Sequence, residues 1–148
     1  MKILLDTNAY AAMMRGHREV AETVRRSERV LLSSVVAGEL LYGFRHGSRY
    51  EENAAHLDAF LASPVVQLVP VTLTTADRFG RIAAALRRKG RPIPSNDVWI
   101  AAQAFETGAD LLSSDQHFSE IEGLAWLPFS PKEEDSVRER VLRYHLAG

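Results

Sequence analysis

The sequence predicts an α/β fold in which a short parallel sheet is flanked by helices on both faces. Two observations lead to this class: the strand-like segments are short and wholly apolar, and segments with helical spacing separate them. Strands without polar alternation are typical of parallel sheets that helices cover on both sides. A length of 148 residues is enough for one domain with a sizeable single core.

The first half of the chain alternates between these two kinds of segment. Short apolar runs predict strands at 2–5 and 30–32. Helical patterns predict two helices between them, at 8–14 and 17–26. Ser33 or Ser34 supplies the hydroxyl that caps the next helix, which reaches about Arg45. A further helix is predicted over 50–61, where two leucines are four residues apart.

The second half continues the alternation. Strands are predicted at 67–71, 111–112 and 125–127. A proline in the first of them indicates that it lies near a sheet edge or near the end of the strand. A Thr74 or Thr75 cap begins a helix that Gly90 ends. Ser95 caps the next helix, which ends before Gly108.

Residues 1–129 are predicted to form the main domain, with 130–148 as a C-terminal helical extension of it. Ser130 is a suitable N-cap, and Pro131 suits the first helical position. No run reaches the roughly 18 apolar residues of a membrane helix, and the N-terminus does not resemble a signal peptide. The absence of cysteine excludes disulfides and thiolate sites and suits a cytoplasmic location. The net charge of −1 neither indicates nor excludes a nucleic-acid partner.

Four carboxylates occupy settings that are unusually apolar or turn-like. They are Asp6 and Asp115, each after a short strand, Glu39 inside a helix, and Asp97 in the first turn of a helix. Each alone has an ordinary explanation as a cap, turn or surface acid, so none is specific. If the four converge they repel one another, and Mg²⁺ or Mn²⁺ relieves that repulsion because hard cations prefer oxygen ligands. Such a site suits phosphodiester hydrolysis.

The same acids carry a family resemblance over about residues 1–129. The segments that hold them, at 4–8, 34–40, 93–102 and 112–118, resemble in order the four motifs of PIN-domain ribonucleases, and most closely the VapC-like toxins. The resemblance implies a PIN-like fold and an Mg²⁺- or Mn²⁺-dependent endoribonuclease that hydrolyses RNA with metal-activated water. Cleavage would leave a 3′-hydroxyl and a 5′-phosphate.

The resemblance also assigns roles to single residues. The acids that hold the metal in the family correspond to Asp6, Glu39 and Asp97, with Asp115 at a fourth, more variable position. Asn8 matches a polar residue that helps to order the site. Ser113 stands where the family usually has threonine, whose hydroxyl supports the first aspartate. The implied partners are RNA, a VapB-like antitoxin with an arginine-bearing tail, and a second copy of the chain.

Other readings stay open. The chain could be a catalytically silent PIN-like protein-binding module, or a PIN nuclease of RNA processing without an antitoxin. Phosphotransfer and receiver domains fit poorly, because no lysine occurs between Lys89 and Lys132. RNA phosphates could be held by Arg87, Arg88 and Arg91, although a basic helix end also suits the helix dipole. His17 and His117 could be ligands or proton carriers, or serve the structure alone.

Overall fold

The computed structural model describes residues 1–131 and has the predicted α/β architecture. Its elements in chain order are β1 (Lys2–Leu5), α1 (Thr7–Met14), α2 (Arg18–Arg26), β2 (Arg29–Ser33), α3 (Ser34–His46), α4 (Tyr50–Leu61), β3 (Val66–Val69), α5 (Leu73–Lys89), α6 (Ser95–Thr107), β4 (Asp110–Ser113), a 3₁₀ helix (Gln116–Glu120) and β5 (Trp126–Pro128). The predicted helix after Pro131 lies outside the described residues.

The five strands form one parallel sheet in the order β3-β2-β1-β4-β5. In the central strand β1, the consecutive residues Ile3, Leu4 and Leu5 are all fully buried. Consecutive strand residues face opposite sides of a sheet, so both faces of β1 are covered. β3 lies at one edge of the sheet, as predicted, but it ends at Val69 and not at residue 71, because Pro70 has no N–H to continue the strand pairing.

The strand order determines which helices cover which face. The connections from β1 to β2 and from β2 to β3 run in one direction across the sheet, and the connection from β3 to β4 runs back across it. Because such crossovers are right-handed, α1 to α4 cover one face while α5 and α6 cover the other. The predicted covering of both faces is therefore confirmed.

Two predicted helix caps are wrong by one to three residues. Thr72 caps α5: its hydroxyl accepts from the Thr75 N–H at 3.4 Å, and its own N–H donates to Thr75 Oγ1 at 3.0 Å. This reciprocal pair satisfies two backbone donors, which a cap at Thr74 or Thr75 would not do. Pro94, not Ser95, precedes the first residue of α6, so Asp97 is the third helical residue instead of the second.

Buried polar side chains connect the layers. Gln103 of α6 donates Nε2–H to the Val69 carbonyl of β3 at 3.1 Å and is fully buried. The buried His17 caps α2, where Nδ1 accepts from the Val20 N–H, and its Nε2–H donates to the Ser130 carbonyl at 2.8 Å. His17 therefore has a structural role, which anchors the chain after β5 to α2. Over residues 1–131 no helix is long and apolar enough to cross a membrane.

Candidate metal centre

The candidate centre lies at the carboxyl ends of β1 and β4. These two strands are neighbours in the sheet, and the connections that leave β1 and β4 run to opposite sides. Such a reversal of strand order opens a crevice in which α/β proteins bind ligands. Asp6 is the first residue after β1, and Asp115 is the second residue after β4. A backbone bond of 3.4 Å from the Asp6 N–H to the Leu112 carbonyl links the two strand ends.

Asp6 is the most constrained of the acids, with only 4% of its surface exposed. Its Oδ1 accepts from the Ala9 N–H at 2.8 Å, so the side chain caps α1. Its Oδ2 accepts from the hydroxyl of Ser113 at the end of β4. Because both oxygens accept hydrogen bonds, one from α1 and one from the end of β4, the orientation of the carboxylate is fixed.

Burial raises the pKa of Asp6 to about 6, from an ordinary value of 3.8. The hydrogen bonds from Ser113 and Ala9 oppose that rise, while the negative charges of Asp97 and Asp115 add to it. An ionised carboxylate is therefore disfavoured here unless positive charge is supplied.

Asp97 reaches the same crevice from the first turn of α6 and is half-buried. Burial raises its pKa, a hydrogen bond from His117 lowers it, and the charges of Asp115 and Glu39 raise it further. Glu39 projects from α3, where its Oε1 accepts from the Thr7 hydroxyl at 3.1 Å. Since Thr7 follows Asp6 directly, this bond holds Glu39 on the side of the crevice formed by α1.

Asp115 and His117 come from the turn that follows β4. The hydroxyl of Ser113 accepts from the Asp115 N–H at 2.9 Å, so one serine positions two acids. Asp115 caps the 3₁₀ helix by accepting from the His117 N–H at 2.9 Å. His117 Nδ1 lies 3.1 Å from Asp115 Oδ1 and 3.3 Å from Asp97 Oδ2.

The structure thus brings the four predicted acids and Ser113 to one crevice, and it places His117, which the sequence offered as a possible ligand or proton carrier, beside Asp97 and Asp115. Asn8 is the second residue of α1 and is exposed, and this position does not test its predicted role in ordering the site. That role stays a prediction.

The predicted basic segment lies beside the far end of the 3₁₀ helix. Arg87 and Arg88 are exposed in the last turn of α5. Lys89 and Arg91 lie 3.2 Å and 4.0 Å from the carboxylate of Glu120, the last residue of the 3₁₀ helix. Because that helix begins after Asp115, the basic segment and the acids are separated by its length, roughly 10 Å at about 2 Å per residue.

The donor set fits a hard divalent cation. The carboxylates offer oxygen donors of the kind that hard cations prefer, and among the described residues the donor atoms of Asp97, Asp115 and His117 lie within 4.8 Å of one another. The groups that most raise the pKa of Asp6 and Asp97, besides burial, are neighbouring acids, so a bound cation would restore the charged forms. The arrangement suits metal-assisted hydrolysis, which requires no serine or cysteine nucleophile.

Comparison with known proteins gives concordant results. The family model described as PIN domain matches residues 3–124. Ribonuclease VapC1 of Haemophilus influenzae (strain R2866) is 28% identical over 131 residues, which cover 85% of this chain and 96% of that protein. Ribonuclease VapC2 of Haemophilus influenzae (strain ATCC 51907) is 30% identical over 116 residues, covering 77% of this chain and 86% of the relative.

A solved structure supports the same family assignment. The structure of VapBC-1 from nontypeable Haemophilus influenzae superposes with a TM-score of 0.77 at 27% identity, and the match covers 86% of this chain and 98% of that one.

Proposed function

The chain belongs to the PIN domain family and to its VapC-like ribonucleases, and on that premise we propose that the crevice acids form a metal-dependent endoribonuclease site. The protein acts as the toxin of a toxin–antitoxin pair. The observation that carries the site assignment is Asp6, a buried acid with both oxygens held and its pKa raised to about 6 beside two further acids. Such an arrangement is costly unless it binds a cation.

The ion is Mg²⁺ or Mn²⁺, held by Asp6, Glu39, Asp97 and Asp115. When bound, it polarises a phosphoryl oxygen and lowers the pKa of a water molecule. The protein fixes its own ligands: Ser113 and the Ala9 N–H orient Asp6, and Thr7 orients Glu39. Because these contacts exist before substrate arrives, little reorganisation is needed when RNA binds.

The exposed cations beside the far end of the 3₁₀ helix bind the substrate. Arg87, Arg88 and Arg91 contact RNA phosphates on the side of the 3₁₀ helix away from Asp115. Their exposure and their position in the last turn of α5 and just beyond it support this assignment. The products are a 3′-hydroxyl and a 5′-phosphate.

The partners follow from the family. A VapB-like antitoxin binds the chain, and an arginine from its tail enters the acidic crevice and opposes metal binding. The chain acts in the cytoplasm and pairs with a second copy of itself. The PIN-like unit spans 1–129, and 130–148 extend it.

Replacement of Asp6 by Asn tests the site directly. The variant keeps the shape of the side chain but removes the charge, so we expect RNA cleavage in Mg²⁺ to fall by at least about 1,000-fold, a loss of about 4 kcal/mol of transition-state stabilisation. The exposed Asp58 of α4 provides the matched control, since Asp58→Asn makes the same change outside the crevice. Far-ultraviolet circular dichroism checks that both variants fold.

The outcomes separate the competing readings. Unchanged cleavage in Asp6→Asn shows that the crevice is not the nuclease site. A parent protein that neither cleaves RNA nor gives heat on titration with Mn²⁺ is a protein-binding module, and the proposal fails.

A further inference from the structure

His117 places an imidazole nitrogen beside two of the crevice acids. Its Nδ1 is 3.1 Å from Asp115 Oδ1 and 3.3 Å from Asp97 Oδ2, and these two acids come from different elements. The His117 backbone N–H also donates to Asp115 at 2.9 Å, which fixes the turn that carries the ring. The imidazole Nδ1 therefore lies between two carboxylates, although the side chain is half exposed.

The spacing of these three atoms is that of ligands around one ion. An ion with ligands at about 2.1 Å in octahedral geometry places adjacent donor atoms about 3.0 Å apart and opposite donor atoms about 4.2 Å apart. The two nitrogen–oxygen distances of 3.1 Å and 3.3 Å match adjacent ligands. All three donor atoms lie within 4.8 Å of one another. Without an ion, the same distances permit a hydrogen bond that Nδ1–H donates.

We propose that His117 Nδ1 is a ligand to the divalent ion that Asp97 and Asp115 hold, and that it makes the centre select Mn²⁺ over Mg²⁺. This inference rests on the proposed nuclease function, because it places a nitrogen donor on the same metal centre. Imidazole suits transition metals, whereas Mg²⁺ is bound almost wholly by oxygen. Asp6 and Glu39 lie nearer α1 and offer only oxygen ligands.

The side chain is suited to this role in two further respects. It is 51% exposed, so an ion can approach it from solvent without movement of the fold. Its other neighbours in the crevice are acids, whose negative charge favours a cation at the imidazole nitrogen.

Electron spin echo spectroscopy of the Mn²⁺-loaded full chain tests the nitrogen ligand. A directly bound imidazole gives ¹⁴N modulation of the Mn²⁺ echo, and labelling histidine with ¹⁵N changes its frequencies. We expect the modulation in the parent protein and its loss in His117→Gln. The matched control is His56→Gln, on the exposed face of α4, which should keep the modulation.

Isothermal titration supplies a second readout. Loss of one nitrogen ligand should weaken Mn²⁺ binding by about 10-fold or more in His117→Gln and Mg²⁺ binding by less than about 3-fold. If His117 only hydrogen-bonded the two acids, its loss would weaken the binding of both ions equally. Equal losses would therefore overturn the proposal.

The failures are distinguishable. Mn²⁺ that binds the parent without ¹⁴N modulation, or with modulation that survives in His117→Gln, overturns the role of His117 and leaves the nuclease site intact. A parent protein that binds no Mn²⁺ overturns the role of His117, and the Asp6→Asn cleavage assay in Mg²⁺ reports independently on the nuclease site.

Discussion

Asp6→Asn should change how the stability of the metal-free protein depends on pH. The carboxyl of Asp6 is buried, and its pKa in the folded protein is about 6 compared with an ordinary 3.8. Between these values the folded state binds more protons than the unfolded state. Stability therefore falls as pH rises through this window, and it stays reduced above it.

The size of this effect follows from the pKa values. A rise from 3.8 to about 6 corresponds to about 3 kcal/mol of lost stability once Asp6 is fully ionised, at about 1.4 kcal/mol per pH unit. Asparagine never ionises, so the variant avoids that loss. It has one acceptor oxygen where Asp6 uses two, for Ala9 and Ser113, which costs about 1 kcal/mol at any pH. The net gain at pH 7.5 is about 2 kcal/mol.

Urea unfolding with a chelator present measures this difference at pH 4 and at pH 7.5. At pH 4 the two proteins should agree within about 1 kcal/mol, with the variant slightly less stable, and at pH 7.5 the variant should be the more stable. Added Mn²⁺ should reverse the order at pH 7.5, because it stabilises the parent and not the variant. Asp58→Asn, at an exposed position, should show no such dependence on pH.

The reasoning fails if the stability difference between Asp6→Asn and the parent changes by less than about 1 kcal/mol from pH 4 to pH 7.5. That result would mean that the Asp6 carboxyl titrates near its ordinary value. The fold would then hold the charge without a bound cation, and the main argument for a metal at this position would be lost.

Two further predictions concern the residues around the acids. Ser113→Ala should lower Mn²⁺ affinity about 10-fold in isothermal titration, because the hydroxyl that orients Asp6 and Asp115 is lost. Ser113→Thr keeps a hydroxyl and should retain the affinity of the parent. Equal affinities for all three proteins would contradict the positioning role. Replacing Arg87 and Arg88 by Gln in the Asp6→Asn background should reduce the salt dependence of RNA binding, by about 0.7 in the logarithmic slope for each lost phosphate contact, as measured by fluorescence anisotropy; an unchanged slope would place RNA elsewhere.

Local chemistry in the sequence was sufficient for most of the fold. Short, mainly apolar runs identified all five strands, although the run predicted for β3 reached two residues beyond its end at Val69. Glycines with positive φ end α5 and α6 where predicted, at Gly90 and Gly108. These features depend on neighbours a few residues away, so the sequence shows them directly. The two helix starts that were misplaced, at Thr72 and Pro94, depended on which of several adjacent polar residues closes its bond. Only the backbone geometry decides that.

The sequence by itself determined which acids were unusual, since Asp6 and Asp115 follow apolar strands whatever the rest of the chain does. Only the tertiary structure decided that they share one crevice, because β1 and β4 are adjacent in space and more than 100 residues apart in the chain. The same arrangement placed His117 between Asp97 and Asp115. Burial, which raises the pKa of Asp6, is likewise a property of the assembled fold, because elements distant in sequence must exclude water together.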